Sequence, residues 1–171
     1  MEAPDMNMRI KLLLCTLLCM IPLLCSAQKT LPDVEVKDID GQACSILSAL
    51  DGSTPVILTF WSTTCKPCLQ ELGAMNDAYV DWADEADFKI VAVARDDARS
   101  SSKVAPMVKG RGWSDFSYYL DENGDLARAM NVQIDPTAFV LDKDGKIVFT
   151  HIGYTPGSEE ELFDQILKLQ E

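Results

Sequence analysis

The most constraining feature of the chain is the run Val56-Ile57-Leu58-Thr59-Phe60-Trp61, followed at once by Ser62-Thr63-Thr64 and then Cys65-Lys66-Pro67-Cys68. A continuous β-branched and aromatic stretch of this kind, opened by Pro55, is the pattern of a strand buried on both faces. From Cys65 to about Ala83 the period changes. Cys68, Leu72, Met75, Tyr79 and Trp82 recur every three or four residues, which predicts a helix directly after the strand. Two thiols therefore stand where a buried strand gives way to a helix.

The next segments extend that unit. Lys89 to Arg95 reads as a second buried strand, and Ser101 to Lys109 as a helix closed by Gly110 and Gly112. Strand, helix and strand in that order predict a parallel pair with a right-handed crossover. Upstream, Thr30 to Ala49 forms a leading segment with a turn at Asp40-Gly41. Downstream, Phe116 to Asp121 predicts a short strand, and Glu122-Asn123-Gly124 turns into a short helix from Asp125 to Met130. Thr137 to Asp142 and Lys146 to His151 are strand patterns around Lys143-Asp144-Gly145, an antiparallel hairpin. Ser158 is expected to cap a helix from Glu159 to Gln170, with acids in its first turn. The sum is an α/β chain, a central mixed sheet flanked by helices, with a helical insertion and a C-terminal β-hairpin plus helix. That order is similar to the thioredoxin-like fold.

A leader precedes this domain. Arg9 and Lys11 form a basic region, Leu12 to Leu24 an almost unbroken apolar run, and Cys25-Ser26-Ala27 the small residues a signal peptidase needs. The division expected is a signal peptide over 1–27, cleaved after Ala27, and one domain over 28–171. An uncleaved membrane anchor is the alternative, disfavoured because the run falls short of the roughly 20 residues of a comfortable crossing. The large Leu24 argues against lipid modification of Cys25. The formal charge of −12 belongs to the domain, because Glu2 and Asp5 offset Arg9 and Lys11 in the leader. With that acidity, no basic run and no glycine-rich phosphate loop, nucleic acid and anionic membrane surfaces are poor partners, and no nucleic acid is expected.

Six cysteines become three once Cys15, Cys19 and Cys25 leave with the leader. An odd count of Cys44, Cys65 and Cys68 is not a disulfide framework, whereas CxxC spacing in an exported chain suggests a redox pair. The attacking species is a thiolate, so a redox cysteine needs surroundings that lower its ordinary pKa of about 8.5. At a helix N-terminus, Cys65 meets free N–H groups and partial positive charge. Lys66 adds an exposed cation, and Pro67 stiffens the first turn at little cost. Cys68, three residues on, lies on the same face within disulfide reach. Zinc is the competing reading of a CxxC, but only Cys44 and His151 remain to complete a four-ligand set, so neither metal nor cofactor is expected. An inert structural disulfide is the other alternative. Trp61 is expected to pack beneath the pair, Cys44 to be a small buried residue and His151 a surface position.

Three blocks of residues resemble the TlpA/ResA-like branch of the thioredoxin superfamily: Phe60 to Glu71 around the CxxC, Asp135-Pro136-Thr137-Ala138-Phe139-Val140-Leu141-Asp142, and Gly145-Lys146-Ile147-Val148. The resemblance implies a protein-disulfide oxidoreductase, most often a reductase in cytochrome c maturation or periplasmic disulfide repair. Its partners would be a disulfide-bearing protein substrate and a membrane or periplasmic thiol donor, and it would act as a monomer in the periplasm. It also implies that Pro136 is a cis-proline lining the substrate groove, and that Glu71 exchanges a proton with Cys68. A solvated Glu71 on the helix surface remains the other reading. The chain departs from thioredoxins at Thr59, where they carry a buried aspartate, and at Thr64, where a tryptophan often stands. Asp135, in place of a common glycine, puts a charge at the groove. Two other functions stay open. A thiol peroxidase finds Ser62 at the offset it needs but Leu58 where it needs proline. A copper chaperone would pair the thiols with His151. The direction of electron flow is also open.

Overall fold

The computed structural model describes residues 29–171, so the expected leader over 1–27 and its cleavage site lie outside the described residues. The elements are β1 (Glu35–Asp38), β2 (Ala43–Ser45), a 3-10 turn (Ile46–Ala49), β3 (Val56–Trp61), α1 (Lys66–Glu85), β4 (Lys89–Ala94), α2 (Val104–Arg111), β5 (Ser117–Leu120), α3 (Asp125–Ala129), β6 (Thr137–Leu141), β7 (Ile147–Ile152) and α4 (Ser158–Lys168). The seven strands form one mixed sheet in the order β2-β1-β5-β4-β3-β6-β7. β3 runs parallel to β4 and antiparallel to β6.

All six side chains of β3 are buried, and their alternation divides the core in two. Ile57 and Trp61 join Cys68, Leu72, Met75 and Trp82 of α1 and Leu162, Phe163 and Ile166 of α4. Val56, Leu58 and Phe60 face the opposite layer, where Ile46, Leu126 and Met130 close over them. Thr59 shares the parity of Ile57 and Trp61, so the sheet aims its hydroxyl at α1. Aromatic contacts lock the first layer, with Trp82 stacked on Phe163 at 4.7 Å between ring centroids.

The predicted elements form with boundaries shifted by a residue or two, except that α2 starts three residues late, after a 3-10 turn at Ser101–Lys103, and runs through Gly110 to end at Gly112. The leading segment folds as the hairpin β1–β2, whose turn is held by Asp38 Oδ1 accepting the N–H groups of Asp40 and Gln42. In the β6–β7 turn Asp142 Oδ1 accepts from Asp144 and Lys146. Gly145 there has φ of 78°, and a Cβ would come within 2.7 Å of Leu50. Two expectations need correction. Ser158 does not cap α4; Gly157 occupies that position, and Ser158 is the first helical residue, accepting the Thr155 N–H at 3.3 Å. Cys44 is half-buried because it lies on β2, the sheet's edge strand, rather than buried within the core.

Leu72 is fully buried between α1 and the sheet. Leu72→Ala is expected to destabilise the domain by about 2–5 kcal/mol, seen as a lower urea midpoint with an unchanged slope.

Candidate functional site

The end of β3 delivers Cys65 to the N-terminus of α1, where it is the N-cap residue. Its sulfur accepts the Cys68 N–H at 3.3 Å, occupying an end-of-helix donor that a serine or aspartate oxygen usually takes. The first turn of α1 carries no acid and has Pro67 within it, so no side-chain charge of its own offsets the positive end of the helix. Cys65 and Cys68 are joined as a disulfide with a Cα separation of 5.3 Å. Cys65 is half-buried and Cys68 fully buried, which leaves Cys65 the sulfur a partner can reach. Lys66 and Pro67 are exposed beside it.

Behind the pair lies a buried carboxyl. Glu71, one helical turn after Cys68, is only 1% exposed, and its Oε2 accepts a hydrogen bond from Thr59 Oγ1 at 2.7 Å. Loss of hydration pushes its pKa up to about 7; the Thr59 hydrogen bond opposes that rise and the charge of Glu159 adds to it. A carboxyl poised near neutrality can take or return a proton under ordinary conditions. The position that thioredoxins give to an aspartate on the strand is thus filled by a hydroxyl that serves a carboxyl on the helix. The solvated reading of Glu71 does not hold.

Trp61 is fully buried beneath this end of α1. Its ring meets Trp113 and Tyr118 edge-on, each at 6.4 Å, and the Arg111 guanidinium lies over the Trp113 ring at 5.0 Å. Burial holds the Tyr118 phenol well above its ordinary pKa.

Two consecutive residues after β4 brace the two loops of the site. The buried carboxylate of Asp96 accepts the Thr63 backbone N–H at 2.8 Å and also the Thr63 hydroxyl, fixing the loop that presents Cys65. Arg95 Nη1 donates to Asp135 Oδ1 at 2.7 Å, fixing the loop that carries Pro136. The Asp135–Pro136 bond is cis, as the family resemblance implied. Phe60 pairs with Thr137, so Pro136 lies at the end of β6 that adjoins the end of β3. Asp135 does bring a charge to the groove, and it is paired there with the Arg95 guanidinium. Ser62, Thr64, Arg95, Asp96, Asp97 and Asp135 line a polar cleft of about 320 Å³ here. A larger groove of about 460 Å³, lined by Met130, Ile134, Phe139 and Ile152 among others, opens on the opposite face of the sheet.

Cys65, Cys68, Glu71, Lys66, Pro67 and Trp61 thus gather at the β3–α1 junction, with Pro136 on the neighbouring strand end. Cys44 lies apart on the edge strand, and His151 Nδ1 lies 3.4 Å from Glu161 Oε2. Among the described residues, no group of three or more His, Cys, Asp or Glu is placed to hold a metal ion. Sequence reasoning missed Thr63, Arg95 and Asp96. Their signal is positional: Arg95-Asp96-Asp97 follows a buried parallel strand, and in such sheets the strand ends gather the groups of a site.

Comparison with known proteins agrees with this geometry. Residues 27–150 match the model of the AhpC/TSA family. The chain is 32% identical over 130 residues to the thioredoxin-like protein YneN of Bacillus subtilis, covering 76% of this chain and 74% of that one. It is 34% identical over 125 residues to the thiol-disulfide oxidoreductase ResA of Bacillus thuringiensis, covering 73% and 69%. Among solved structures, a thioredoxin-like protein from Porphyromonas gingivalis superposes with a TM-score of 0.72 at 42% identity, over 81% of this chain and 90% of that one.

Glu71 makes stability depend on pH in a defined window. Its folded pKa, about 7, lies above the ordinary 4.5, so the folded state holds the proton more tightly than the unfolded state. The resulting stabilisation is complete below pH 4.5 and is lost as pH rises through 7, by an amount on the order of 3 kcal/mol. Asp51, Asp97 and Glu122, held below their ordinary values by Lys89, Ser100 and Lys37 respectively, act in the opposite sense and only at lower pH. Urea unfolding at pH 5 and pH 8 is expected to show the wild type losing stability relative to Glu71→Gln; parallel behaviour of the two would refute a buried, titrating Glu71.

Proposed function

The chain belongs to the AhpC/TSA family with the thioredoxin-like fold and is a thiol-disulfide oxidoreductase, and we propose that it works as an exported reductase of protein disulfides through Cys65 and Cys68. The observation that carries this reading is the disposition of the pair: a reachable Cys65 capping the helix, a buried Cys68 behind it, and Glu71 one turn further in.

The mechanism follows from those positions. The Cys65 thiolate attacks one sulfur of a partner disulfide, whose S–S bond breaks and whose displaced sulfur leaves as a thiolate that takes up a proton. A mixed disulfide now joins Cys65 to the partner. Cys68 passes its proton to Glu71 and attacks Cys65, the mixed bond breaks, and the partner's second sulfur leaves as a thiolate that takes up a proton, the one held by Glu71 being given back in turn. Two electrons have moved to the partner, and Cys65–Cys68 is left as the disulfide. A thiol donor in the membrane or periplasm then restores the dithiol. Asp96 and Arg95 hold the Cys65 and Pro136 loops in fixed relation, so that a substrate strand laid against Pro136 meets Cys65.

We place this chemistry in the periplasm, with residues 1–27 as a cleaved leader and 28–171 as the working domain. The sequence of the leader supports that assignment, and an oxidising compartment is where a disulfide exchanger finds substrates. Cytochrome c maturation or repair of wrongly formed disulfides would use a reductase of this kind.

A Cys68→Ser variant in the native compartment tests the reading. It is expected to accumulate partner proteins bound through Cys65 and released by reductant, whereas Cys65→Ser accumulates none. Indistinguishable profiles from the two variants would contradict the assigned roles.

A further inference from the structure

Thr59 has no part in the exchange of sulfurs, yet its hydroxyl is the one hydrogen-bond donor to the Glu71 side chain among the described residues, and both groups are buried. Position on β3 explains the contact. Thr59 lies on the face of the sheet that α1 covers, flanked by Ile57 and Trp61, and a β-branched residue there has little rotamer freedom. The Oγ1–Oε2 distance of 2.7 Å is that of a well-formed O–H···O bond. Donated between two buried groups, such a bond favours the ionised carboxylate.

We propose that Thr59 is a positioning residue for the resolving step, its hydroxyl orienting the Glu71 carboxylate and setting how readily that group takes the proton of Cys68. The proposal rests on the Cys65–Cys68 cycle described above and deepens it. Other groups face Glu71 as well. Glu159, in the first turn of α4, opposes its ionisation, as its charge raises the Glu71 value. Tyr154, in the loop before α4, has a phenol pushed up to about 12, chiefly by burial, and stays neutral near pH 7. Cys68 lies one turn away on α1. Thr59 is the contact that works in favour of the charge, and it does so without carrying one.

The Cys68 proton moves to Glu71, Cys68 Sγ bonds to Cys65 Sγ, the bond from Cys65 to the partner sulfur breaks, and that sulfur leaves with its electron pair. Removing the hydroxyl leaves the same acid and the same sulfurs but raises the affinity of Glu71 for its proton. The carboxylate form needed as base then appears only at higher pH.

Stopped-flow reaction of the reduced protein with 5,5′-dithiobis(2-nitrobenzoate) reads this step, using a Cys44→Ser background so that only the pair reacts. The first thionitrobenzoate released reports attack by Cys65 and the second reports resolution by Cys68. In wild type the second rate is expected to rise with pH through an inflection near 7, the value at which Glu71 ionises. Thr59→Val should move that inflection up by about one pH unit, a tenfold change in proton affinity, while Thr59→Ser keeps it in place. Glu71→Gln should abolish the inflection, and adding Thr59→Val to it should change nothing further. An inflection unmoved in Thr59→Val, a Thr59→Ser variant that behaves like valine, or a valine effect that persists beside Glu71→Gln would each overturn the proposal. Absence of any second release in wild type would instead overturn the dithiol cycle, so the two failures are distinguishable.

Discussion

The point at which β3 ends and α1 begins fixes every group of the redox site. Because β3 is buried on both faces, its register cannot slip without turning Thr59 and Trp61 away from α1 and into the opposite layer. That register places Cys65 at the helix N-terminus, Cys68 beneath it and Thr59 against Glu71. The braces from Arg95 and Asp96 add the second loop to the same frame, so the cis bond before Pro136 lies at the end of β6 beside the end of β3.

Such a site is held against local preference. A carboxyl with 1% exposure costs stability when ionised, and one hydroxyl donor offsets only part of the lost hydration. Nothing in the packing of α1 requires an acid there; an apolar side chain would join Leu72 and Met75 in the same layer. A buried acid one helical turn from a buried thiol fits the proton acceptor proposed above, and there local rules of burial give way to chemistry. The surrounding layer can bear the cost, since Trp82, Phe88 and Phe163 form a tightly packed aromatic cluster further along the same face.

Much of this was legible in the sequence because the signals are local. The continuous apolar run of β3, the change to helical period after Cys65 and the Asp-Gly turn before β7 each report their own element. The thiol pair and its helix placement follow from four consecutive residues. Contacts across the sheet were less legible. Thr59 is noticeable only as a departure from an aspartate, and nothing local says that its hydroxyl meets a carboxyl twelve positions on. Asp96 and Arg95 bind Thr63 and Asp135 over 33 and 40 positions, separations that periodicity does not encode. The choice between a buried and a solvated Glu71 turned on how deeply α1 sits over β3, a property of the folded layer. Cys44 shows the reverse error, where a residue type that is usually buried falls on an edge strand.

The central claim is that Cys65 and Cys68 form one reversible two-electron couple. Equilibration in thiol–disulfide buffers of graded potential, followed by acid quench, alkylation and mass measurement, tests it directly. The account predicts that the two cysteines change state together in a single reversible two-electron transition while Cys44 is alkylated throughout. A pair that stays oxidised in every buffer, or two cysteines that titrate independently, would contradict it.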